Sequence, residues 1–600
     1  MAGATTSYLI ERCFNSSADG RVQSQLYIFK GAGLRIRDLS YTTMLLVVPI
    51  VVVAQDWIGG SDGSIFETRP SRRQPPLPGY QESAPQLELD VPRVEEPQLS
   101  GDLPYAIRTY VSEFRISGNT AVSTEELKQV VAPFEGREIT NNELEEVRQR
   151  LTLYYVDRGY LNSGAVIPDQ KVIGGVVEVQ VIEGTLTRIL IEGVTRFDPE
   201  YFTSRLALRS GPPLNVNDLQ EQLQILIQND LVRGIRAELG PGDSPGTAVL
   251  KATVAEAPPY AFGLVVDNKL PPSLGEFRLL AQGEARNLAG WGDVLAAELG
   301  LSEGIKADFK ASYSAPLSPR DLTLGIYFED GNAEVVEEPF DELDIETELR
   351  TYGVSLDLPP RRTANERLGL GLSLERTRTD TTLLGEPFSF SPGVEDGKAV
   401  VSVLRFVQDW TRRSQNQVIS ARSTISFGLD AFGSTVNGNL PDSRFVTWIP
   451  QFQWARRFGD WGHQVFFRFD GQLSSDSLLP IERFTVGGLD SVRGYRSNQL
   501  VRDEGYVAAL QYQLPLFRDP IGTRNLQLAA FVDTGFSREN AGDQPDPSHL
   551  TGVGMGLIWE PDLRFRAELY VAHALDDVQA GGENSLQDES VYFRLVARTF

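Results

Sequence analysis

Arg564-Phe-Arg-Ala-Glu-Leu-Tyr-Val571 places Phe565, Ala567, Leu569 and Val571 on one side of an extended chain and Arg564, Arg566, Glu568 and Tyr570 on the other. Side chains alternate across a strand, so one face of this segment suits lipid and the other water. The same period returns upstream. Val465, Phe467, Phe469 and Leu473 alternate with Phe466, Arg468, Asp470 and Gln472; Leu368, Leu370, Leu372 and Leu374 alternate with Gly369, Gly371 and Ser373; Leu322, Leu324, Ile326 and Phe328 alternate with Thr323, Gly325 and Tyr327. From about Pro258 to Phe600 such segments are separated by Gly, Pro, Asn and Asp turns, and no helical period interrupts them. A soluble sandwich with one wet face would alternate in the same way, so the period alone leaves two readings. Three facts favour the membrane over a soluble all-β domain: the chain carries an export signal, about 340 residues carry no helix to cover an open sheet, and only a closed barrel leaves no unpaired backbone in lipid. Connections also come in two lengths. Phe517-Arg-Asp-Pro-Ile-Gly-Thr-Arg524 is short, whereas 329–349, 380–398 and 536–549 are long and mostly acidic, as in outer-membrane barrels. The terminal segment sets Val591, Phe593, Leu595 and Ala597 on one face but gives Phe600 the other parity, which predicts a bulge or a frayed end.

Export fits this reading. The run Met44-Leu-Leu-Val-Val-Pro-Ile-Val-Val-Val53 is ten residues long, and a membrane helix needs roughly 20. Arg35 and Arg37 precede it, and Val52 and Ala54 supply small residues before Gln55, the layout of a secretory signal over residues 1–54. Its first part is longer and more polar than usual, so either translation starts later or the signal carries an extension. Residues 55–107 are rich in proline and polar side chains, which predicts an extended linker without a packed core. The single cysteine, Cys13, falls within the signal, so the mature chain has no thiol for a disulfide or a metal site. Three histidines lack any HExxH spacing, no GxSxG elbow or GxxxxGK[ST] loop occurs, and no enzyme activity, cofactor or metal is expected. A formal charge of −25 argues against a nucleic-acid partner, because an acidic chain repels phosphate.

Residues 108–257 align on themselves at an offset of 75 without a gap: Gly118 falls on Gly193, Gly136 on Gly211, Leu144 on Leu219, Leu151 on Leu226 and Gly159 on Gly234. Each copy opens with a strand (111–116; 188–191) and ends with an alternating one (176–182; 248–254), with two helical stretches between. The order β-α-α-β-β defines two small α+β domains, 108–184 and 185–257. Ser123 precedes Glu126 by three, as Thr140 precedes Glu143, so both helices of the first copy carry capping boxes. Leu144, Val147, Leu151 and Tyr154 then form the face expected to pack on the sheet. The reversals Asp157-Arg-Gly-Tyr160 and Leu231-Val-Arg-Gly234 lead from second helix to second strand.

The most specific local signal is Phe484-Thr-Val-Gly-Gly-Leu-Asp-Ser-Val-Arg-Gly-Tyr495, followed 38 residues later by Asp533 in Phe531-Val-Asp-Thr-Gly535. These residues resemble the VRGY loop and FxDxG strand of the haemolysin and haemagglutinin exporters, the outer-membrane half of two-partner secretion, and the tandem domains resemble that family's POTRA pair. The resemblance covers residues 108–600. It implies a mainly β protein with a transmembrane barrel of about 16 antiparallel strands over 258–600, roughly 21 residues per strand and connection. It also implies a loop folded into the lumen, with Arg493 paired to Asp533.

Strand parity supports that pairing independently. On residues 526–533 the set Leu526, Leu528, Ala530 and Val532 faces lipid, which turns Asp533 inward with Phe531. A guanidinium holds a carboxylate by two parallel hydrogen bonds, while Gly487, Gly488 and Gly494 allow the turns that carry Val492, Arg493 and Tyr495; Gly535 closes the strand motif. A pair flanked by water, stabilised only modestly, would serve as a latch that an entering polypeptide displaces. The rival reading is an ordered external loop of a porin.

By resemblance, the chain exports a large partner exoprotein, docked in the periplasm by strand addition to exposed POTRA sheet edges and threaded unfolded through the pore without ATP. The partners implied are that exoprotein and outer-membrane lipids, and the transporter is expected to act as a monomer. Family members often begin with a plug helix, but residues 55–80 hold several glycines and prolines, which leaves the folded-in loop to close the pore. The alternatives are an insertase that assembles other barrels, against which two POTRA copies speak, and a passive porin or receptor.

Overall fold

In the computed structural model of this chain, the described residues are 86–90, 108–438, 441–517, 526–542, 544–562, 564–578 and 585–599. The expected export signal, any plug segment and most of the linker lie outside them.

Five linker residues do form structure, as β1 (Gln86–Asp90). The first α+β domain follows with β2 (Arg108–Val111), β3 (Glu113–Ser117), α1 (Thr124–Val131), β4 (Arg137–Thr140), α2 (Asn141–Val156), β5 (Gly164–Val166) and β6 (Val176–Ile182). Both capping boxes are present, Ser123 with Glu126 and Thr140 with Glu143. Val147, Leu151 and Tyr155 are fully buried on α2, whereas Leu144 and Tyr154 are only partly covered. Tyr155 rather than Tyr154 is the deep residue because its hydroxyl has a partner there, donating to Glu183 at 2.9 Å.

The second domain comprises β7 (Thr185–Glu192), α3 (Pro199–Ala207), α4 (Val216–Ile227), β8 (Val232–Pro241) and β9 (Thr247–Glu256). The repeat is structural as well as sequential. In each copy a glycine with positive φ lies against the last strand, where an added Cβ would meet Val181 O at 2.4 Å above Gly118 and Val254 O at 2.5 Å above Gly193. The offset is 75 at the glycines but 73 at those strand residues, so the second copy has lost two residues in between, and the gapless alignment fails towards its end. The second reversal is also misplaced by sequence: Gly159 turns the chain at φ +91°, while Gly234 lies inside β8 at a register shift.

The second sheet runs β1-β8-β9-β7, with β1 parallel to β8 from Gln86↔Gly234 to Asp90↔Glu238. An edge strand offers unpaired amides and carbonyls, and Leu89 packs against the domain's core. Hence these five residues are ordered within a segment whose composition predicts no packing.

The barrel is closed by β10 (Tyr260–Asp267), β11 (Arg278–Arg286), β12 (Val294–Leu301), β13 (Ala307–Pro316), β14 (Thr323–Glu334), β15 (Ile345–Arg362), β16 (Glu366–Leu383), the two-residue β17 (Glu386–Pro387), β18 (Lys398–Ser414), β19 (Gln417–Leu429), β20 (Val446–Phe458) and β21 (His463–Ser474). The small strands β22 (Phe484–Val486) and β23 (Leu500–Arg502) pair apart from the wall, which resumes with β24 (Glu504–Pro515), β25 (Leu526–Arg538), β26 (His549–Asp562), β27 (Phe565–Ala574) and β28 (Val591–Arg598). Sixteen long antiparallel strands thus form a ring in which β10 meets β28. Leu569 and Val571 are about half exposed outside, while Glu568 and Tyr570 are buried inside, as the alternation predicts. Strands reach further than composition suggests: β14 and β15 remain paired to Glu334↔Glu346, inside a stretch expected to be loop. β28 pairs with both neighbours without a register shift and ends at Arg598, so of the bulge or frayed end expected there no bulge occurs within the strand; Phe600 lies outside the described residues.

Candidate functional site

Residues 475–503 leave the rim after β21, turn into the lumen through the β22–β23 hairpin and return to β24. Gly487, Gly488 and Gly494 take φ values of +113°, +93° and +109°, conformations closed to most side chains. At the tip, Arg493 Nε and Nη2 donate to the two oxygens of Asp533 at 2.7 and 2.9 Å, and its backbone amide donates to the same carboxylate at 3.2 Å. Nη1 reaches Gln511 Oε1 at 2.7 Å, and the guanidinium lies 3.5 Å from the Phe531 ring centroid. Arg493 is 5 % exposed and Asp533 1 %. The pair is therefore not flanked by the water that its place in a lumen implies, because the rings of Phe531 and Tyr570 lie against the guanidinium.

Every singled-out residue of the motif is in this assembly. Val492 is buried among Phe484, Val486, Leu500, Val507 and Leu550, and Tyr495 joins the same cluster. The Tyr495 hydroxyl bonds Thr551 O at 2.8 Å and accepts from the Asp576 amide at 2.9 Å. Gly535 has no room for a side chain, since a Cβ would come 2.4 Å from Val486 Cγ1.

A model of the haemolysin secretion/activation protein family ShlB/FhaC/HecB matches residues 246–558, and a ShlB-type POTRA domain model matches 110–184. The chain belongs to this secretion family. It is an outer-membrane transporter whose POTRA domains lie in the periplasm. The haem/hemopexin transporter protein HuxB of Haemophilus influenzae strain 86-028NP is 23 % identical over 76 % of this chain and 82 % of its own. The outer membrane transporter CdiB of Escherichia coli is 25 % identical over 74 % of this chain and 76 % of its own. The solved structure of CdiB from Escherichia coli superposes with a TM-score of 0.65 at 21 % identity, covering 84 % of this chain and 93 % of that one. Membership decides for secretion over the insertase and porin alternatives.

Several contacts of this secretion protein's loop have no counterpart in the motif. Tyr592 on β28 accepts from the Gly494 amide at 2.9 Å and donates to Tyr495 O at 2.7 Å. Gly552 on β26 lets the loop backbone lie on the wall, since a Cβ there would sit 1.8 Å from Arg493 O. At the loop's base, Glu482 is fully buried against Arg405 of β18 at 2.8 Å, and Arg405 also reaches Glu375 of β16 at 3.3 Å. Arg496 holds Asp588 at 2.5 Å and Glu337 at 2.7 Å. Spacing offers no route to these partners. Gly552 alone has a signal: Gly552, Gly554 and Gly556 alternate inward while Met555 faces lipid, and glycines in a strand mark close backbone approach.

Proposed function

We propose that this transporter takes its exoprotein from the POTRA domains as an extended chain, and that the loop 475–503 is a latch whose tip must leave the wall for the client to pass. The observation that carries this is the bidentate, buried Arg493–Asp533 pair, set in the lumen a polypeptide has to cross. Because the pair is buried, removing one partner strands the other charge and costs about 3–5 kcal/mol. The latch therefore moves as a unit with the loop rather than by exchange of one ion pair with water.

Docking by strand addition has a geometric condition. The outer edge of β8 is taken by β1, so a client strand adding there first displaces the chain's own linker. Beyond the loop, a lumenal cavity of about 690 Å³ is lined by charges of both signs, among them Lys310, Arg367, Arg422, Asp357 and Asp409, and by Gln228 at the end of α4. A mixed-charge lining suits an unfolded segment of varied composition. With no nucleotide-binding loop in the sequence, folding of the client outside supplies direction. The transporter acts as a monomer in this reading.

Arg493→Ala and Asp533→Ala are each expected to reduce exoprotein secretion to background, while heat-modifiable mobility shows the barrel still inserted. Normal secretion from both variants sinks the latch.

A further inference from the structure

The barrel closes where β10 meets β28, elements more than 300 residues apart that no turn holds in register. This seam has five paired positions, Gly263↔Arg598 to Asp267↔Arg594, whereas the other adjoining long strands have seven or more. Single bonds extend it at both ends, the Thr599 amide donating to Phe262 O at 2.9 Å and the Asn268 amide to Phe593 O at 3.4 Å. Asn268, just beyond β10, accepts from the Phe593 amide at 2.9 Å and donates to Val591 O at 2.9 Å, so one carboxamide stands in for two rungs of the ladder.

Above those rungs lies a charged cluster that includes the loop tip. Asp267 of β10 holds Arg278 of β11 at 2.7 Å and lies 3.7 Å from Arg594 of β28. Arg594 Nη2 reaches both oxygens of Asp490 at 3.0 and 3.1 Å, and Lys269, two residues beyond β10, reaches Asp490 at 3.2 Å. Arg468 of β21 donates to Asp490 O at 2.5 Å. The Lys269 and Arg594 side chains are almost wholly buried.

We propose that Asp490 is a positioning residue that ties the loop tip across the closure seam, so that seating of the loop and closure of the barrel are one event. Its carboxylate lies between a cation on the β10 side and a cation on β28. With the loop withdrawn, Lys269 and Arg594 lose the carboxylate they share in a poorly solvated place; Asp267 stays beside Arg594, and the lost attraction between the two sides bears on the shortest ladder of the ring. A transporter built this way loosens its wall when its loop leaves, at the moment a client needs a wider lumen. The loosening during transport rests on the latch reading above, whereas the hold of Asp490 on the seam, which the test reads, does not require Arg493 and Asp533 to part.

The test is amide exchange, read by mass spectrometry, on the full chain in phosphatidylcholine vesicles. Asp490→Asn is expected to speed exchange at residues 263–267 and 594–598 about ten-fold while β14, β15 and β16 keep the parent rates. Asp490→Glu, which retains the charge, restores most of the protection. Parent rates at the seam in Asp490→Asn, or an equal rise in every strand, would overturn the proposal. If Asp490→Asn does not insert, it is repeated with a disulfide joining the facing pair Val265 and Val596 as V265C/V596C. Insertion regained with the bridge supports the seam as the failing point, and failure with the bridge formed refutes it.

Discussion

Arg493 directs its guanidinium plane at a carboxylate, a carboxamide and an aromatic face at once, which a lysine in its place could not do. Half of this arrangement is legible in sequence, because period-two parity turns Asp533 inward. Gln511, Tyr570 and Tyr592 are not, because they stand on other strands and spacing says nothing of what lies across a lumen. A second single-residue device recurs in both POTRA copies. Glu256 receives the amides of Thr195, Arg196 and Phe197 at 2.8, 3.0 and 3.1 Å, as Glu183 receives those of Thr120 and Ala121 at 2.6 and 2.8 Å. Burial pushes the Glu256 carboxyl up, but those amides and the Thr195 hydroxyl outweigh it and hold the group at about 2, against an ordinary 4.5. A lowered folded value means that the contribution is present above pH 4.5 and is lost as pH falls from there towards about 2. Amide exchange at residues 195–197, taken relative to each amide's intrinsic rate at the same pH, is therefore expected to rise as pH falls across that window in the parent chain. In Glu256→Gln it is already raised at neutral pH and flat below; identical profiles would remove the cap from the account.

Among elements, the capping boxes of α1 and α2 are readable because their partners lie three residues apart, within reach of any helix start. β1 is not readable. Gln86-Leu-Glu-Leu-Asp90 alternates, but in a proline-rich stretch nothing local distinguishes it from solvated chain, and its order comes from the β8 edge, whose paired residues lie 148 positions further on. Leu89→Asp is expected to free that edge, because the new carboxylate would have to enter the apolar core that Leu89 packs against. Amide exchange in β8 should then quicken about ten-fold with β7 and β9 unchanged. Parent rates in β8 would mean that β1 does not protect the edge.

For the whole molecule, the second POTRA domain meets the barrel through several hydrogen bonds, among them Arg196 to Arg286 O at 3.2 Å and Gln228 to Ala364 O at 2.6 Å, and through one carboxylate that holds charges from both sides. Asp321, in the turn after β13, takes Arg205 of α3 at 3.0 Å and Arg362 of β15 at 2.6 Å, while Arg205 lies 3.7 Å from the Tyr201 ring centroid. Asp321→Asn leaves two guanidiniums without a counter-charge between them, and losing one partner of such an interfacial group costs about 2–5 kcal/mol. Spin-label distances between α4 and the barrel turns are expected to broaden in this variant with the barrel still inserted. An unchanged distribution would show that the remaining hydrogen bonds and apolar packing set the docking without this carboxylate.

The sequence by itself determined the class of this protein: strand alternation, turn residues, a tandem repeat and one loop motif all act over short distances, and local chemistry is enough to specify them. Only the tertiary structure decided which wall the loop rests on, that its ion pair is dry, that the linker lends a strand to a sheet, and how the ring is shut. Those outcomes depend on residues brought together by closure across hundreds of positions, and the free energy of a buried charge or an open edge is set by whatever neighbour arrives there.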